Sequence, residues 1–386
     1  MHRMSTSDEP QHDSESALWR VIDASINRGC EGLRVIEDFV RFGLDDAHLT
    51  SLVKDLRHEL AATCAALPLP VRLAARDTQQ DVGAQISTAA ETRRSDAWEV
   101  CVASLQRAKQ SLRSLEEFSK IPSPQVSAKF ESLRYRLYTV ERAVGITQHS
   151  AAQLKDAQLC VLVDGRSNAA AFATLVQQLV AAGVSMIQLR DKRLGSALLV
   201  ERARLLCELA ARASAANSSP SPSLRGRGNG SRTLVIINDR PDIAAAVNAD
   251  GVHLGQDDMR VKDARAVVGP RRLIGVSTHS IEQARAAVLD GANYLGVGPT
   301  FPSTTKSFGT FPGLDFLRQV AAEIRLPALA IGGIRRDNLH EVLATGIGRV
   351  AVGSAVVGAL DPAEAARQLI DVLQRNAAEP SASADG

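Results

Sequence analysis

The spacing of apolar residues divides the chain into two parts. Up to about residue 150, apolar side chains recur three and four positions apart, as in Leu112, Leu115 and Phe118, and β-branched runs are rare. This period is typical of amphipathic helices. Beyond residue 150, short apolar strands alternate with amphipathic helices instead. We therefore predict an all-α N-terminal domain over residues 1–150 and an α/β domain over residues 151–386.

The helical part repeats itself. Segment 24–39 matches segment 103–118 at Ala, Ser, Arg, Leu, Arg, Glu and Phe, and Leu56-Arg57 is matched by Leu133-Arg134. A duplicated helical unit packing against its copy is the simplest architecture for this pattern. The repeated arginines, Arg28/Arg107 and Arg34/Arg113, have anion binding as one interpretation. Because residues three and four apart are neighbours on a helix, we expect surface ion pairs instead: Arg34 with Glu37 or Asp38, and Arg113 with Glu116 or Glu117.

The second part has eight short apolar segments, each followed by a segment able to form a helix or a functional loop. These segments are Leu159–Val163, Val184–Leu189, Leu234–Ile237, Gly251–Leu254, Leu273–Val276, Tyr294–Val297, Ala328–Ile331 and Val350–Val352. Eight βα units in about 225 residues predict a (β/α)₈ TIM barrel. The alternative is an open doubly wound sheet, which seldom has eight evenly spaced units. The final helix is predicted over Asp361–Arg375.

The amino-acid composition restricts the partners, the compartment and the ordered segments that we expect. Apolar residues make up 45% and charged residues 23% of the chain, and the net charge of +2 gives no reason to expect nucleic acid or an anionic membrane as partner. The five scattered cysteines suggest reduced thiols, and we expect a cytoplasmic protein. Segment 217–232 and the tail from Ala377 are rich in small and polar residues, so we expect both to be disordered.

Cationic and amide side chains follow the second predicted strand. Alternate residues of a strand face the same way, so Gln188, Arg190 and Lys192 point together while Leu189 faces the helices. An amide with two cations suits a diphosphate. A salt-bridged strand end is the alternative explanation.

Carboxylates follow the third and fourth predicted strands. Asp239 and Asp258 are about one βα unit apart, so they are expected on neighbouring strand ends facing one cavity. Two carboxylates without a nearby His or Cys favour Mg²⁺ over Zn²⁺. Alternatively, Asp239 pairs with Arg240, and Asp257 or Asp258 caps the next helix; we assign the cap to Asp257.

The later strands lead into loops suited to a monophosphate. Segment 298–306 carries hydroxyls and one lysine, which suggests a mobile lid. Strands seven and eight end in Gly332-Gly333 and Gly353-Ser354, where backbone N–H groups can approach an anion closely. Ser277 ends the fifth strand between the two predicted anion sites.

Seven motifs together resemble the thiamine-phosphate synthase family over roughly residues 155–375. They are QLRDK (188–192), INDR (237–240), DGVHLGQDD (250–258), GVSTH (275–279), GPTFPSTTK (298–306), AIGGI (330–334) and VGSA (352–355). The helical part resembles an extra N-terminal domain of some bacterial members. We leave its role open between folding, oligomerisation and regulation.

The resemblance implies a role for each candidate residue. Gln188, Arg190, Lys192, Asn238 and Lys306 would hold an aminopyrimidine diphosphate, Asp239 and Asp258 would bind Mg²⁺, and Ser277 would touch the pyrimidine. Ser303, Thr304, Thr305, Gly333, Gly353 and Ser354 would receive a thiazole phosphate; Ser303 stands where the family usually has Thr. The full substrate-binding set is Gln188, Leu189, Arg190, Asp191, Lys192, Asn238, Ser277, Ser303, Thr304, Thr305, Lys306, Gly333, Gly353 and Ser354. Arg190, Ser277 and Lys306 are the candidate catalytic residues.

The reaction implied is Mg²⁺-assisted loss of diphosphate from the pyrimidine, followed by capture of a pyrimidine carbocation by the thiazole nitrogen. Three alternatives are a thiazole tautomerase-like paralogue, a phosphate-binding barrel isomerase of amino-acid biosynthesis, and a non-catalytic thiazole-phosphate sensor. The complete diphosphate motif argues against the first. The QLRDK motif and the Asp239/Asp258 pair argue against the second. An assay for pyrophosphate and thiamine phosphate would separate all four.

Overall fold

The computed structural model describes residues 9–79, 93–217, 232–302 and 312–378. The chain divides into two compact units, Met1–Val144 and Gly145–Gly386. Among the residues described, no helix is both long and apolar enough to cross a membrane. The segment expected to be disordered, 217–232, and the tail after residue 378 lie almost wholly outside the described residues.

The N-terminal unit is built from helices, as predicted. Their bounds are α1 Glu9–Asp38, a π-helical turn Phe39–Gly43, α2 Ala47–Ala65, α3 Leu69–Ala75, α4 Ala97–Phe118 and α5 Pro124–Gln153. Aspartates begin two of them: the Asp46 carboxylate accepts from Leu49 N (2.8 Å), and Asp96 accepts from Glu99 N (2.8 Å). Such side-chain caps satisfy backbone N–H groups that have no partner within the helix.

The two copies of the repeat pack against each other, which confirms the duplicated unit. The first copy lies in α1 and the second in α4, and these helices pack along their lengths. At the crossing, a Cβ on Gly32 would lie 3.1 Å from Ser104 O and 3.3 Å from Ala108 Cβ. Small residues are therefore needed at this point because they allow the close approach of the two backbones.

Each copy carries the same ion-pair arrangement. Arg57 Nε lies 2.6 Å from the Glu37 carboxylate, and in the second copy Arg134 Nε lies 2.6 Å from the Glu116 carboxylate. The helix-surface pairs expected from sequence are also present, with Arg34 beside Glu37 and Asp38, and with Arg113 beside Glu116 and Glu117. The repeated Leu-Arg pair thus supplies one arginine to each copy, Arg57 or Arg134, and that arginine neutralises the buried glutamate of the same copy.

In the described part of the second unit, eight parallel strands close into a barrel, in the order β1 to β8 with β8 beside β1. The strands are β1 Leu159–Val163, β2 Met186–Leu189, β3 Leu234–Asn238, β4 Gly251–Leu254, β5 Leu273–Thr278, β6 Tyr294–Val297, β7 Ala328–Ile331 and β8 Val350–Val352. The predicted TIM barrel is confirmed, and all eight predicted strands lie within two residues of their observed bounds.

Helices surround the strands. They are α6 Ala169–Ala181, α7 Ser196–Asn217, α8 Pro241–Ala246, α9 Val261–Val268, α10 Ile281–Asp290, α11 Gly313–Glu323, α12 Leu339–Leu343, α13 Ser354–Val357 and α14 Pro362–Ala378. The predicted final helix corresponds to α14, where Asp361 accepts from Glu364 N (3.0 Å). The predicted cap at Asp257 is wrong: α9 starts after Arg260, and the preceding segment is a turn that positions Asp258.

The barrel interior is filled by alternate residues of each strand. Met186, Ile236, Leu273 and Leu329 belong to its buried core cluster. Because strand side chains alternate, the next inward positions towards the C-terminal ends are Gln188, Asn238, Gly275 and Ile331. Gln188 and Asn238 thus bring polar side chains into the interior near the C-terminal ends of the strands, which is where such barrels carry their sites.

Candidate active site

A buried amide pair lies at the ends of β2 and β3. The Gln188 side-chain amide donates to the Asn238 side-chain carbonyl, with an N···O distance of 2.7 Å. Gln188 is 5% exposed, so its position is fixed by the barrel wall. Parallel pairing of β2 with β3 brings these side chains together although 50 residues separate them. The pair gives the mouth one fixed polar wall.

The two predicted metal carboxylates lie side by side beyond β3 and β4. Asp239 has a left-handed backbone (φ 59°), and its N–H donates to His253 O at 2.8 Å. The Asp258 carboxylate is near enough to raise the pKa of Asp239, and Lys192 Nζ lies 3.4 Å from Asp239 Oδ2. The turn after β4 positions Asp258, whose Oδ2 accepts from Gly255 N at 2.7 Å. The alternative partner expected for Asp239, Arg240, pairs with Asp242 instead.

The electrostatics of this pair favour a cation. Burial, and then the neighbouring Asp258 carboxylate, raise the pKa of Asp239 above its usual value, although Lys192 opposes the shift. Two carboxylates forced together are stabilised by a shared positive charge. Within the described residues there is no cluster of three or more His, Cys, Asp or Glu side chains suited to a metal. A two-carboxylate site fits Mg²⁺, which keeps waters and takes phosphate oxygens as further ligands.

The rest of the QLRDK segment divides into exposed and structural residues. Arg190 is partly exposed, and among the described residues its guanidinium has no ion-pair partner. Asp191 is turned towards the loops, where its carboxylate accepts from Arg193 N (2.8 Å) and Gly165 N (3.1 Å). Burial alone would raise the pKa of Asp191, but these backbone hydrogen bonds lower it overall. Leu189 is 1% exposed and packs within the barrel wall.

The glycines after β7 adopt conformations that favour glycine. Gly332 and Gly333 have φ values of 104° and 64°. A Cβ on Gly333 would lie 2.9 Å from Phe301 O, because the chain after β6 lies directly against it. After β8, Gly353 and Ser354 begin the short helix α13. The predicted lid residues Ser303, Thr304, Thr305 and Lys306 lie outside the described residues.

A histidine that was not among the predicted site residues lies inside the barrel. His253, on β4, lies with Nε2 2.9 Å from Ser277 Oγ and Nδ1 3.2 Å from the Tyr294 hydroxyl. Its burial lowers its pKa to about 4. An available signal was its place in the DGVHLGQDD motif at an inward strand position, opposite glycines on the next two strands.

The chain is similar over most of its length to proteins named thiamine-phosphate synthase. A thiamine-phosphate synthase from Rhodopirellula baltica is 42% identical over 370 residues, covering 92% of this chain and 92% of its own. The chain belongs to the thiamine-phosphate synthase family. It is a transferase of thiamine biosynthesis. The Synechocystis sp. thiamine-phosphate synthase is 35% identical and is similar over 95% of this chain and 99% of its own length.

Family models divide the chain as the two units do. Residues 224–356 match the model described as thiamine monophosphate synthase, and residues 20–143 match the ThiD2 family model. Among solved structures, a thiamine phosphate pyrophosphorylase from Pyrococcus furiosus is 33% identical, with a TM-score of 0.48. It covers 57% of this chain and 96% of its own. The Rhodopirellula baltica and Synechocystis sp. relatives match 92% and 95% of this chain, so their similarity extends over both parts.

Proposed function

We propose that the barrel mouth joins 4-amino-2-methyl-5-pyrimidinylmethyl diphosphate to a hydroxyethylthiazole-type phosphate, giving thiamine phosphate and pyrophosphate. The bond from the exocyclic CH₂ to the diphosphate oxygen breaks, and the oxygen keeps the electron pair. The thiazole nitrogen then supplies its lone pair to the resulting pyrimidine carbocation. An electron-rich aminopyrimidine can carry this positive charge, so the protein needs no covalent nucleophile.

The observation that carries the proposal is the Asp239–Asp258 pair beside Lys192. Asp239 and Asp258 would hold Mg²⁺, whose charge would offset the negative charge that develops on the departing diphosphate. Lys192 lies 3.4 Å from Asp239, so a diphosphate bound there would meet its ammonium group as well. The Arg190 guanidinium, which has no ion-pair partner in the described part of the chain, and Lys306, from the predicted lid, would supply further positive charge.

The two amides would fix the pyrimidine end of the diphosphate substrate. Gln188 and Asn238 are joined by a 2.7 Å hydrogen bond, which leaves polar atoms of both side chains for the substrate. Ser277 would contact the ring from β5. Asp191 and Leu189 would contribute by shaping the loop and the wall, because Asp191 is engaged by backbone N–H groups and Leu189 is buried.

The thiazole phosphate would bind on the opposite side of the mouth. Gly333, Gly353 and Ser354 would present backbone N–H groups and a hydroxyl, and Ser303, Thr304 and Thr305 would add hydroxyls from the lid. Holding the phosphate there would keep the thiazole nitrogen close to the reacting carbon. Positioning of this kind lowers the entropic part of the barrier.

The experiment is a reconstitution with purified protein and both phosphorylated rings, with and without Mg²⁺. We expect pyrophosphate and thiamine phosphate in equal amounts, and only when Mg²⁺ is present. Product at an undiminished rate in chelator would contradict the proposed cation. Binding of thiazole phosphate without any pyrophosphate release would indicate a sensor rather than a synthase.

A further inference from the structure

Three polar side chains form a continuous chain through the barrel interior from its buried centre to its mouth. Tyr294 on β6 contacts His253 on β4, and His253 contacts Ser277 on β5, with distances of 3.2 and 2.9 Å. Tyr294 is 3% exposed and His253 is 7% exposed, whereas Ser277 is partly open to the mouth. Only the last member of this Tyr294–His253–Ser277 chain can therefore meet a substrate.

The neighbouring strands leave room for these rings. A Cβ on Gly275 would lie 2.1 Å from Tyr294 Cζ and 2.5 Å from His253 Nδ1. A Cβ on Gly296 would lie 3.0 Å from His253 Cε1. Strand pairing explains both glycines, because His253 pairs with Gly275 and Ser277 pairs with Gly296. The imidazole and the phenol thus occupy space that side chains on β5 and β6 would otherwise fill.

The available hydrogen-bond partners determine which atoms donate and which accept along the Tyr294–His253–Ser277 chain. Among the described residues, His253 Nδ1 is the hydrogen-bond partner of the Tyr294 hydroxyl. Burial raises the pKa of Tyr294, so the phenol keeps its proton. A buried hydroxyl that keeps its proton must donate it, because an unmade hydrogen bond in the interior is costly. The Tyr294 proton therefore points at Nδ1, and the ring carries its own proton on Nε2.

The proton on His253 Nε2 determines where the Ser277 hydroxyl can point its own proton. Since Nε2–H donates to Ser277 Oγ, the serine proton cannot point back at His253 and is directed elsewhere. We propose that the Tyr294–His253–Ser277 chain fixes the Ser277 hydroxyl as a hydrogen-bond donor towards the mouth. Its ligand would be a ring nitrogen of the pyrimidine, which has a lone pair, rather than the exocyclic amino group. This inference rests on the proposed function for the identity of the ligand, and it makes Tyr294 and His253 positioning residues.

The first test reads the proton directly in the unmodified protein without substrate. Long-range ¹H–¹⁵N correlation spectra of ¹⁵N-histidine-labelled protein distinguish a protonated ring nitrogen from an unprotonated one. The His253 signal is the one of the eight histidines that is missing in His253→Gln. We expect a proton on Nε2 and none on Nδ1. A proton on Nδ1 overturns the proposal, and the result does not depend on whether Tyr294 variants fold.

The second test is a double-mutant cycle of Tyr294→Phe and Ser277→Ala, followed through the KM of each substrate. One hydrogen bond corresponds to about two- to tenfold in affinity, so Tyr294→Phe should raise KM for the pyrimidine diphosphate by that factor. In the Ser277→Ala background, Tyr294→Phe should change it by less than about twofold. The KM for thiazole phosphate should stay unchanged throughout. An equal effect of Tyr294→Phe in both backgrounds overturns the proposal.

A control variant accompanies the two tests, and their results distinguish failure of the proposed function from failure of this inference. Tyr135→Phe removes a hydroxyl from an exposed tyrosine of the N-terminal unit, and it should change neither KM. If the spectra place the proton on Nε2 but the protein never uses the pyrimidine diphosphate, the proposed function fails while the direction of the chain stands. If the protein is an active synthase and the cycle is additive, the proposed function stands and the role of Tyr294 fails.

Discussion

Replacing Asp239 with Asn should lower activity and raise stability in the same protein. Asp239 is partly buried, and burial and the adjacent Asp258 carboxylate raise its pKa. A raised folded-state pKa means that folding disfavours the charged form. The resulting stability is present below the unfolded-state pKa and is lost as pH rises through the folded-state pKa. At neutral pH the ionised Asp239 therefore costs stability, and neutral Asn removes that cost.

The size of the stability change follows from the geometry. Two unit charges about 4 Å apart interact by about 4 kcal/mol at an effective dielectric of about 20. Lys192, 3.4 Å away, offsets part of this repulsion, although its side chain is 62% exposed and its contribution is screened. We expect a net gain on the order of 1 kcal/mol, or about 2–4 °C in Tm. Asn also tolerates the left-handed backbone at φ 59°.

The activity change has the opposite sign. Loss of one ligand of a cation that offsets charge on the leaving group should cost about 100-fold or more in kcat, which corresponds to about 2.7 kcal/mol. The assays are thermal unfolding of the metal-free protein, the same scan with Mg²⁺, and pyrophosphate release. Mg²⁺ should raise the Tm of the wild type but not that of Asp239→Asn.

Asp257→Asn is the matched control, since Asp257 is an exposed acidic residue two positions after Gly255 on the same turn. It should retain both activity and the Mg²⁺ response. An Asp239→Asn protein that is less stable than the wild type without metal, or that keeps full turnover, would contradict this prediction.

Three further predictions concern the barrel core and the repeat. Gly275→Ala should destabilise the protein by about 1–3 kcal/mol in urea unfolding, because its Cβ would overlap Tyr294 and His253, whereas Gly353→Ala has its nearest neighbour at 3.9 Å and should cost clearly less. Burial lowers the pKa of His253 to about 4, so the stability that neutral His253 provides is present above about pH 6.5 and is lost as pH falls towards 4. The unfolding free energy of His253→Gln should therefore fall less between pH 6.5 and pH 4 than that of the wild type. Parallel curves of unfolding free energy against pH for the two proteins would contradict this expectation. Glu116→Gln should lower the unfolding free energy by about 3 kcal/mol, because it leaves the buried Arg134 without its partner. Glu37→Gln should lower it by less, because Arg57 is 27% exposed. Equal losses of unfolding free energy, measured by chemical unfolding, would show that burial of the arginine does not determine the effect.

Local rules explain how much of the fold could be predicted from the sequence. The period of three to four in residues 1–150 and the eight short apolar runs beyond them follow from which residues each element must bury, so element types and barrel class were predictable. The ion pairs Arg34–Glu37 and Arg113–Glu116 were predictable for the same reason, because their spacing along one helix determines their distance.

The helix cap predicted at Asp257 is wrong, and the structure shows why. Asp257 has the residue type of a cap and precedes a helix, but α9 begins four residues later, and the intervening turn binds Asp258 to Gly255 N. Turn geometry depends on contacts beyond the local sequence. Cap preference alone was therefore a poor guide at this position.

The sequence by itself determined the strands, the helices, the repeat and the polar residues that end each strand, because these depend on neighbours along the chain. Only the tertiary structure decided which of those polar residues meet. Closure of the barrel and the register of β4, β5 and β6 bring His253 to Ser277 and Tyr294, which are 24 and 41 residues away. Asp239, which has a left-handed backbone, likewise comes near Asp258 only in the folded barrel. The physical reason is that such contacts depend on strand register and backbone direction, which are set by packing of the whole barrel.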